Sequence, residues 1–168
     1  NYPQGVPGRG HLKTEKIGIV NLIGRVWVGE FDSPFYVIDE LLSSGWAKTI
    51  PIIVDFHAEA SSEKMALAWH LDGRVTAVVG THTHIATADC QILNDGTAYV
   101  TDLGMVGAFD SVIGMDKEPV LERFLTGINK RFQPIVNGLM KFNSVLIETD
   151  KNGRRAINIQ RVDREIKI

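Results

Sequence analysis

Two short apolar runs, IPIIVDF at 50–56 and VTAVVG at 75–80, constrain the fold of this chain more than any other feature. Each is apolar at consecutive positions and too short for a buried helix, the pattern of a strand covered on both faces. Between them Ser61 or Ser62 caps a helical stretch in which Met65, Leu67, Ala68 and Leu71 face inward, and Gly73 ends it. Strand, helix and strand with short joints make a βαβ unit, so the two runs are expected as parallel strands with a right-handed crossover.

The remaining elements follow from local pattern. KIGIVNLIG (16–24) is β-branched and alternating, hence a strand. After Asp32-Ser33-Pro34, FYVIDELLSS has helical spacing and stops at Gly45. DCQILNDGTAYVTDLG reads as a hairpin around Asn94-Asp95-Gly96, a helix is expected over 116–126, and the tail reads as two antiparallel strands around Lys151-Asn152-Gly153. The class is α/β with a mixed sheet, and 168 residues suit a single domain. Residues 1–15, with Pro3, Gly5, Pro7, Gly8 and Gly10, have the composition of a linker.

Three histidines sit where α/β sheets bind ligands, at the carboxyl ends of strands. His57 follows the first run, and His82 and His84 follow the second. Parallel strands would bring all three to one edge. Residues two apart in an extended segment point the same way, with Cα atoms about 6.6 Å apart. With metal–nitrogen bonds of about 2.1 Å and paired ions about 3.5–4 Å apart, His82 and His84 could chelate one ion or hold one each of two. His11, in the opening segment, and His70, on the expected helix, read as structural or solvated.

Three acids lie near enough to matter. Asp55 points the same way as His57 and could be a ligand or the acceptor that fixes an imidazole tautomer. Glu59 could do the same, or simply place charge at the start of the helix. Asp102 ends the second hairpin strand and approaches the same edge. For all three, a supporting or structural role outweighs direct ligation. No phosphate-cradling P-loop and no G-x-S-x-G elbow competes with the histidines. Cys90, beside Asp89, lacks a cationic neighbour and is no candidate nucleophile. Three neutral imidazoles by themselves suit one zinc with an open water position. From a different class, the chain could be a non-catalytic module that binds metal or nucleotide.

Charge and composition narrow the partners. A net charge of −2 offers no basic field for a nucleic acid polymer or an anionic membrane. No apolar stretch approaches the roughly 18 residues of a membrane span. The opening lacks the layout of a signal peptide. A single cysteine excludes an internal disulfide and fits a reducing compartment, so the cytoplasm is expected. Residues 151–168 are locally basic and read as a solvated hairpin in preference to a phosphate-binding arm.

VDFHAEASSEKMALAWHLDGRVTAVVGTHTHIATAD, followed by GTAYVTDLGMVGAFDSVIGMD, closely resembles the YmdB-like metallophosphoesterases of bacteria, within the wider calcineurin-like group. The likeness runs from NYPQGVPGRG to the last strands, and DFHAEA, GTHTH and TDLGM are its most specific parts. A similar His-x-His strand end gives a much weaker likeness to capsule-synthesis proteins of the same superfamily. The family resemblance implies a four-layer α/β sandwich and a dinuclear centre of iron or manganese, with zinc a further option. It also implies hydrolysis of small phosphoesters such as 2′,3′- or 3′,5′-cyclic AMP. Carried over by position, His57 and His82 match ligands of one ion and His84 a ligand of the other. Members carry a further N-terminal portion, with an aspartate after its first strand, a Glu-Asn pair and a Gly-Asn-His segment, which supplies the bridging carboxylate and the general acid. The chain is therefore expected to be a C-terminal portion lacking an N-terminal βαβ part, inactive alone, with that segment and a second copy of itself as partners.

Overall fold

A computed structural model describes residues 1–3 and 5–168. The first part of the chain forms β1 (His11–Lys13), β2 (Gly18–Ile23), α1 (Pro34–Ser43), β3 (Ile52–His57), α2 (Ser61–His70) and β4 (Ala77–Thr81). Then come β5 (Gln91–Ile92), β6 (Ala98–Val100), β7 (Val106–Ala108) and α3 (Lys117–Thr126). Four strands close the chain: β8 (Leu139–Phe142), β9 (Val145–Thr149), β10 (Ala156–Arg161) and β11 (Arg164–Lys167). A six-stranded sheet runs in the order β1-β2-β3-β4-β6-β5. Its four central strands are parallel, and β1 and β5 are antiparallel to their neighbours. The two apolar runs are thus parallel neighbours, as their pattern predicts.

The helices and the second sheet divide the two faces of this sheet. Val20, Leu22, Val54, Phe56, Val78 and Tyr99 pack against Ile38 of α1 and Leu67 and Leu71, at α2 and its end. On the other face Ala77, Val79, Ala98 and Val100 meet Ala156 and Ile159 of β10, which pairs with β9. Among the described residues these contacts stack helices, main sheet and the β9–β10 pair in layers, a mixed α/β sandwich. A separate three-stranded sheet, β11-β8-β7, was not legible in the tail's pattern.

Local differences have local causes. β4 is buried on both faces, whereas β3 alternates buried and half-buried residues, because β10 packs over β5 and β6 and leaves the second face of β3 partly open. Neither Ser61 nor Ser62 caps α2; the cap position is Ala60, with no side-chain bond, and both serines lie in the first turn. Residues 11–13 of the linker-like opening form the edge strand β1. The basic tail is not wholly solvated. Arg161 donates from Nη2 to the Leu103 carbonyl at 2.6 Å and from Nη1 to that of Thr87 at 3.2 Å. Its Nε meets Asp163 at 2.8 Å, which holds that carboxyl down to about 2. No helix among the described residues is long and apolar enough to cross a membrane.

Gly80, the residue of β4 opposite Phe56, has no room for a side chain: a Cβ there would overlap the Thr101 carbonyl oxygen. That atom is backbone and cannot rotate away. Gly80→Ala is expected to lower stability by more than about 3 kcal/mol in urea denaturation. A loss under about 1 kcal/mol would mean that the 101–103 segment is not held against β4.

Candidate functional site

His57 and Thr81 are the last residues of β3 and β4 and register partners in the sheet. The chain then turns sharply. His82 has φ +111° and His84 φ +65°, a backbone region that residues with a Cβ seldom occupy and that costs of order 1–3 kcal/mol each. The turn persists because it is bonded into the interior. The Thr83 N–H donates to Asp102 Oδ2 at 3.0 Å, and the same oxygen accepts from Lys64 Nζ at 2.9 Å. Both members of that ion pair are fully buried. The Gly104 N–H donates to the other oxygen at 2.9 Å. Burial pulls the Asp102 carboxyl upward, but the Lys64 ammonium and the Gly104 and Thr83 donors outweigh it, and its pKa lies below the ordinary value.

Hydrogen bonds fix which ring nitrogens of His57 and His82 carry protons. Asp55 accepts from Asn21 Nδ2 and from the Thr81 hydroxyl, both at 2.8 Å. With its proton donated to Asp55, Thr81 Oγ1 can only accept from His57 Nδ1, 3.3 Å away. His57 Nε2 then carries a lone pair. Glu59 Oε2 lies 3.0 Å from His82 Nε2 and so fixes the proton there, leaving a lone pair on Nδ1 of the neutral ring. These two acceptor nitrogens face one another at 2.9 Å, with the rings nearly perpendicular at 89°. Two lone pairs so placed repel unless a positive charge, a proton or a metal ion, lies between them. Burial first, and then the proximity of His82, holds the His57 pKa below its ordinary value, which favours its neutral ring.

This donor set fits a transition-metal ion in kind. Neutral imidazole is the ligating form, and Thr81 and Glu59 orient the two rings as outer hydrogen bonds orient metal-ligating histidines. In number it falls short of a closed cage. Among the described residues no group of three or more His, Cys, Asp and Glu side chains could hold an ion.

The expected residues thus separate into three roles. His57 and His82 come together, with Asp55 and Glu59 behind them. His84 is fixed separately, its Nδ1 3.0 Å from the Ile113 carbonyl oxygen, and among the described residues it joins no group of three potential ligands. Asp102 is committed to Lys64 and the backbone. His11 stacks edge-on against Trp46 at 5.4 Å, and His70 bonds Asp39 at 2.9 Å, both structural. Burial pushes the Cys90 thiol up, in keeping with an inert side chain. Sequence reasoning missed Lys64 and Thr81. Lys64 had a signal: with Leu67, Ala68 and Leu71 it completes an inward stripe at helical spacing, and a lysine there requires a buried carboxylate.

A family model described as "YmdB-like protein" matches residues 1–162. The chain is 44% identical over 166 residues to a 2′,3′-cyclic-nucleotide 2′-phosphodiesterase of Bacillus subtilis, covering 96% of this chain and 62% of that protein. Two solved structures share its fold. A hypothetical protein from Thermus thermophilus superposes with a TM-score of 0.91 at 40% identity, over 98% of this chain and 65% of the other. A structure titled a novel phosphatase, from Mycoplasma pneumoniae, gives 0.89 at 35% identity, over 99% and 62%. The chain therefore spans less than two thirds of the length of each.

Removing Lys64 strands a buried carboxylate beneath the histidine turn. Lys64→Met is expected to lose about 3–5 kcal/mol in urea denaturation at pH 7. A carboxyl with a lowered folded pKa contributes stability that is fully present above its unfolded value of about 3.9 and is lost as pH falls through the folded value. Asp102→Asn should therefore be less stable at pH 7 and show a flatter decline below about pH 4. Parallel acid limbs in the two proteins would exclude this role for Asp102.

Proposed function

Because the chain belongs to the YmdB-like protein family, matched over residues 1–162, we propose that it carries the histidine half of a metal-dependent phosphodiesterase acting on cyclic nucleotides. The observation that carries this reading is the pair of acceptor nitrogens, His57 Nε2 and His82 Nδ1, aimed at one point 2.9 Å across. The name of the Bacillus subtilis relative favours 2′,3′-cyclic nucleotides as substrates, with 3′,5′-cyclic AMP second.

In this reading His57 and His82 hold one ion and His84, its ring held through Nδ1 by the Ile113 carbonyl, serves another. Two iron or manganese ions are preferred over a single three-histidine zinc, since the two-histidine pair alone does not complete a zinc site. Bound ions would polarise a phosphoryl oxygen and acidify the attacking water. The chain's own residues do the positioning. Thr81 and Asp55 hold the His57 proton on Nδ1, and Glu59 holds that of His82 on Nε2. The Asp102–Thr83 bond keeps the turn in its strained form. A groove of about 840 Å³ opens beside His57, bounded by Asn21, Val37 and Leu41, and can seat the nucleoside. The relatives' greater length leaves room for a segment that supplies the bridging carboxylate and the proton donor.

The 168-residue chain alone should hydrolyse 2′,3′-cyclic AMP negligibly in manganese, since general acid–base help alone is worth about 10²–10⁴-fold. Joined to the additional segment of the Bacillus subtilis relative, it should turn over, and His57→Ala or His82→Ala should abolish that turnover. Thr81→Val, which only frees the His57 ring, should reduce it about 10–100-fold without unfolding. Equal rates for the chain alone and the completed protein would refute the division of labour. Unchanged turnover in His82→Ala would refute the site.

A further inference from the structure

A second cavity lies at the opposite edge of the main sheet, where β3 and β4 begin. It measures about 440 Å³, within the range of about 300–1,000 Å³ typical of small-molecule sites. The length of β3, at about 3.3 Å per residue, sets it roughly 16 Å from the histidines. Three separate stretches of chain build it: the loop after α1, the turn at Gly73–Thr76, and the tip of the β9–β10 hairpin. The tip is fixed there, because Thr76 Oγ1 donates to the Gly153 carbonyl at 3.2 Å and Gly153 abuts Pro51.

The lining is cationic. Lys48, Arg74, Arg154 and Arg155 contribute positive charge, against the single carboxylate of Asp150. Arg74 is already paired with Asp39 at 2.6 Å. Lys48, Arg154 and Arg155 take part in none of the ion pairs found among the described residues. One oxygen of the Asp150 carboxylate, Oδ1, accepts from the Arg154 and Arg155 backbone N–H groups at 3.0 and 3.4 Å. Beside the cations the wall is apolar and includes the half-buried indole of Trp46. Lys48, Arg154 and Arg155, from two loops, exceed the single Asp150 charge by two, which matches a phosphate dianion. An apolar, aromatic wall next to them matches a planar ring.

We propose that this cavity is a second binding site, distinct from the histidine edge, for a nucleoside monophosphate: its phosphate on Lys48, Arg154 and Arg155, its base against Trp46. The basic residues of the 150–155 turn thereby become a phosphate-binding arm, the role that the sequence placed second to simple solvation.

Trp46 is a local reporter once the other two tryptophans, Trp27 and Trp69, are changed to phenylalanine. In that Trp27→Phe/Trp69→Phe protein, 5′-AMP should change Trp46 emission saturably, with Kd below about 1 mM. Adenosine and inorganic phosphate, each half of the ligand, should bind at least about tenfold more weakly. Arg154→Gln/Arg155→Gln should raise the 5′-AMP Kd at least about tenfold, and Lys48→Gln, on the other loop, should weaken it independently. His82→Ala should leave the titration unchanged. All three cationic side chains are exposed, so melting temperatures should hold. No saturable change with 5′-AMP overturns the site. Adenosine binding as tightly as 5′-AMP overturns the role of the cations, phosphate binding as tightly overturns that of the ring wall, and loss of signal in His82→Ala assigns the binding to the histidine edge instead.

Discussion

The Lys64–Asp102 ion pair is the contact on which the histidine edge depends. It joins α2, the segment after β6 and the turn after β4 at one buried point. Two charges removed from water carry a desolvation cost of several kcal/mol each, and isolated pairs of this kind add little to stability. What this one does is directional. Asp102 holds three donors at once, two of them backbone N–H groups, so its position dictates the path of the chain through Thr83. Replacing the pair with apolar side chains of equal volume would leave the turn without the bond that offsets its strain.

A similar dependence appears one layer outward. Asp55, Thr81 and His57 form a short relay in which each group's hydrogen bond decides the next group's role. Asn21 completes it from β2, directly opposite Asp55 in the sheet. Because β2, β3 and β4 are parallel and in register, residues from three strands reach one edge side by side. The polar edge is thus built by the sheet's geometry, and loops need only add His82 and Glu59.

Much of this was legible in sequence, and the division between what was and what was not is physical. The βαβ unit, the hairpin at Asn94–Gly96 and the placement of His57 and His82 follow from periodicity and turn chemistry, which act over a few residues. Neither serine caps α2, because the backbone turns helical at Ser61 and leaves Ala60, which has no capping side chain, at the boundary. The β7–β8–β11 sheet was missed because its strands lie far apart in sequence and its pairing is decided by contacts no local pattern records. The orientation of His84 turned on the position of Ile113, 29 residues away. Lys64 was the exception: its helical spacing announced a buried charge.

The in-register pairing of β3 with β4 also ties the histidine pair to folding. His57 and His82 stand 25 residues apart in the chain and meet only when both strands and α2 are docked. A slip of one residue would turn every side chain of β4 to the opposite face, and His82 with them. An unfolded or mispaired chain therefore offers no such pair of nitrogens. Any cation bound between them draws on the native population alone and stabilises it by mass action, in proportion to the logarithm of its free concentration over its dissociation constant. Cation supply would then set not only the state of the site but how much of the chain is folded to display it.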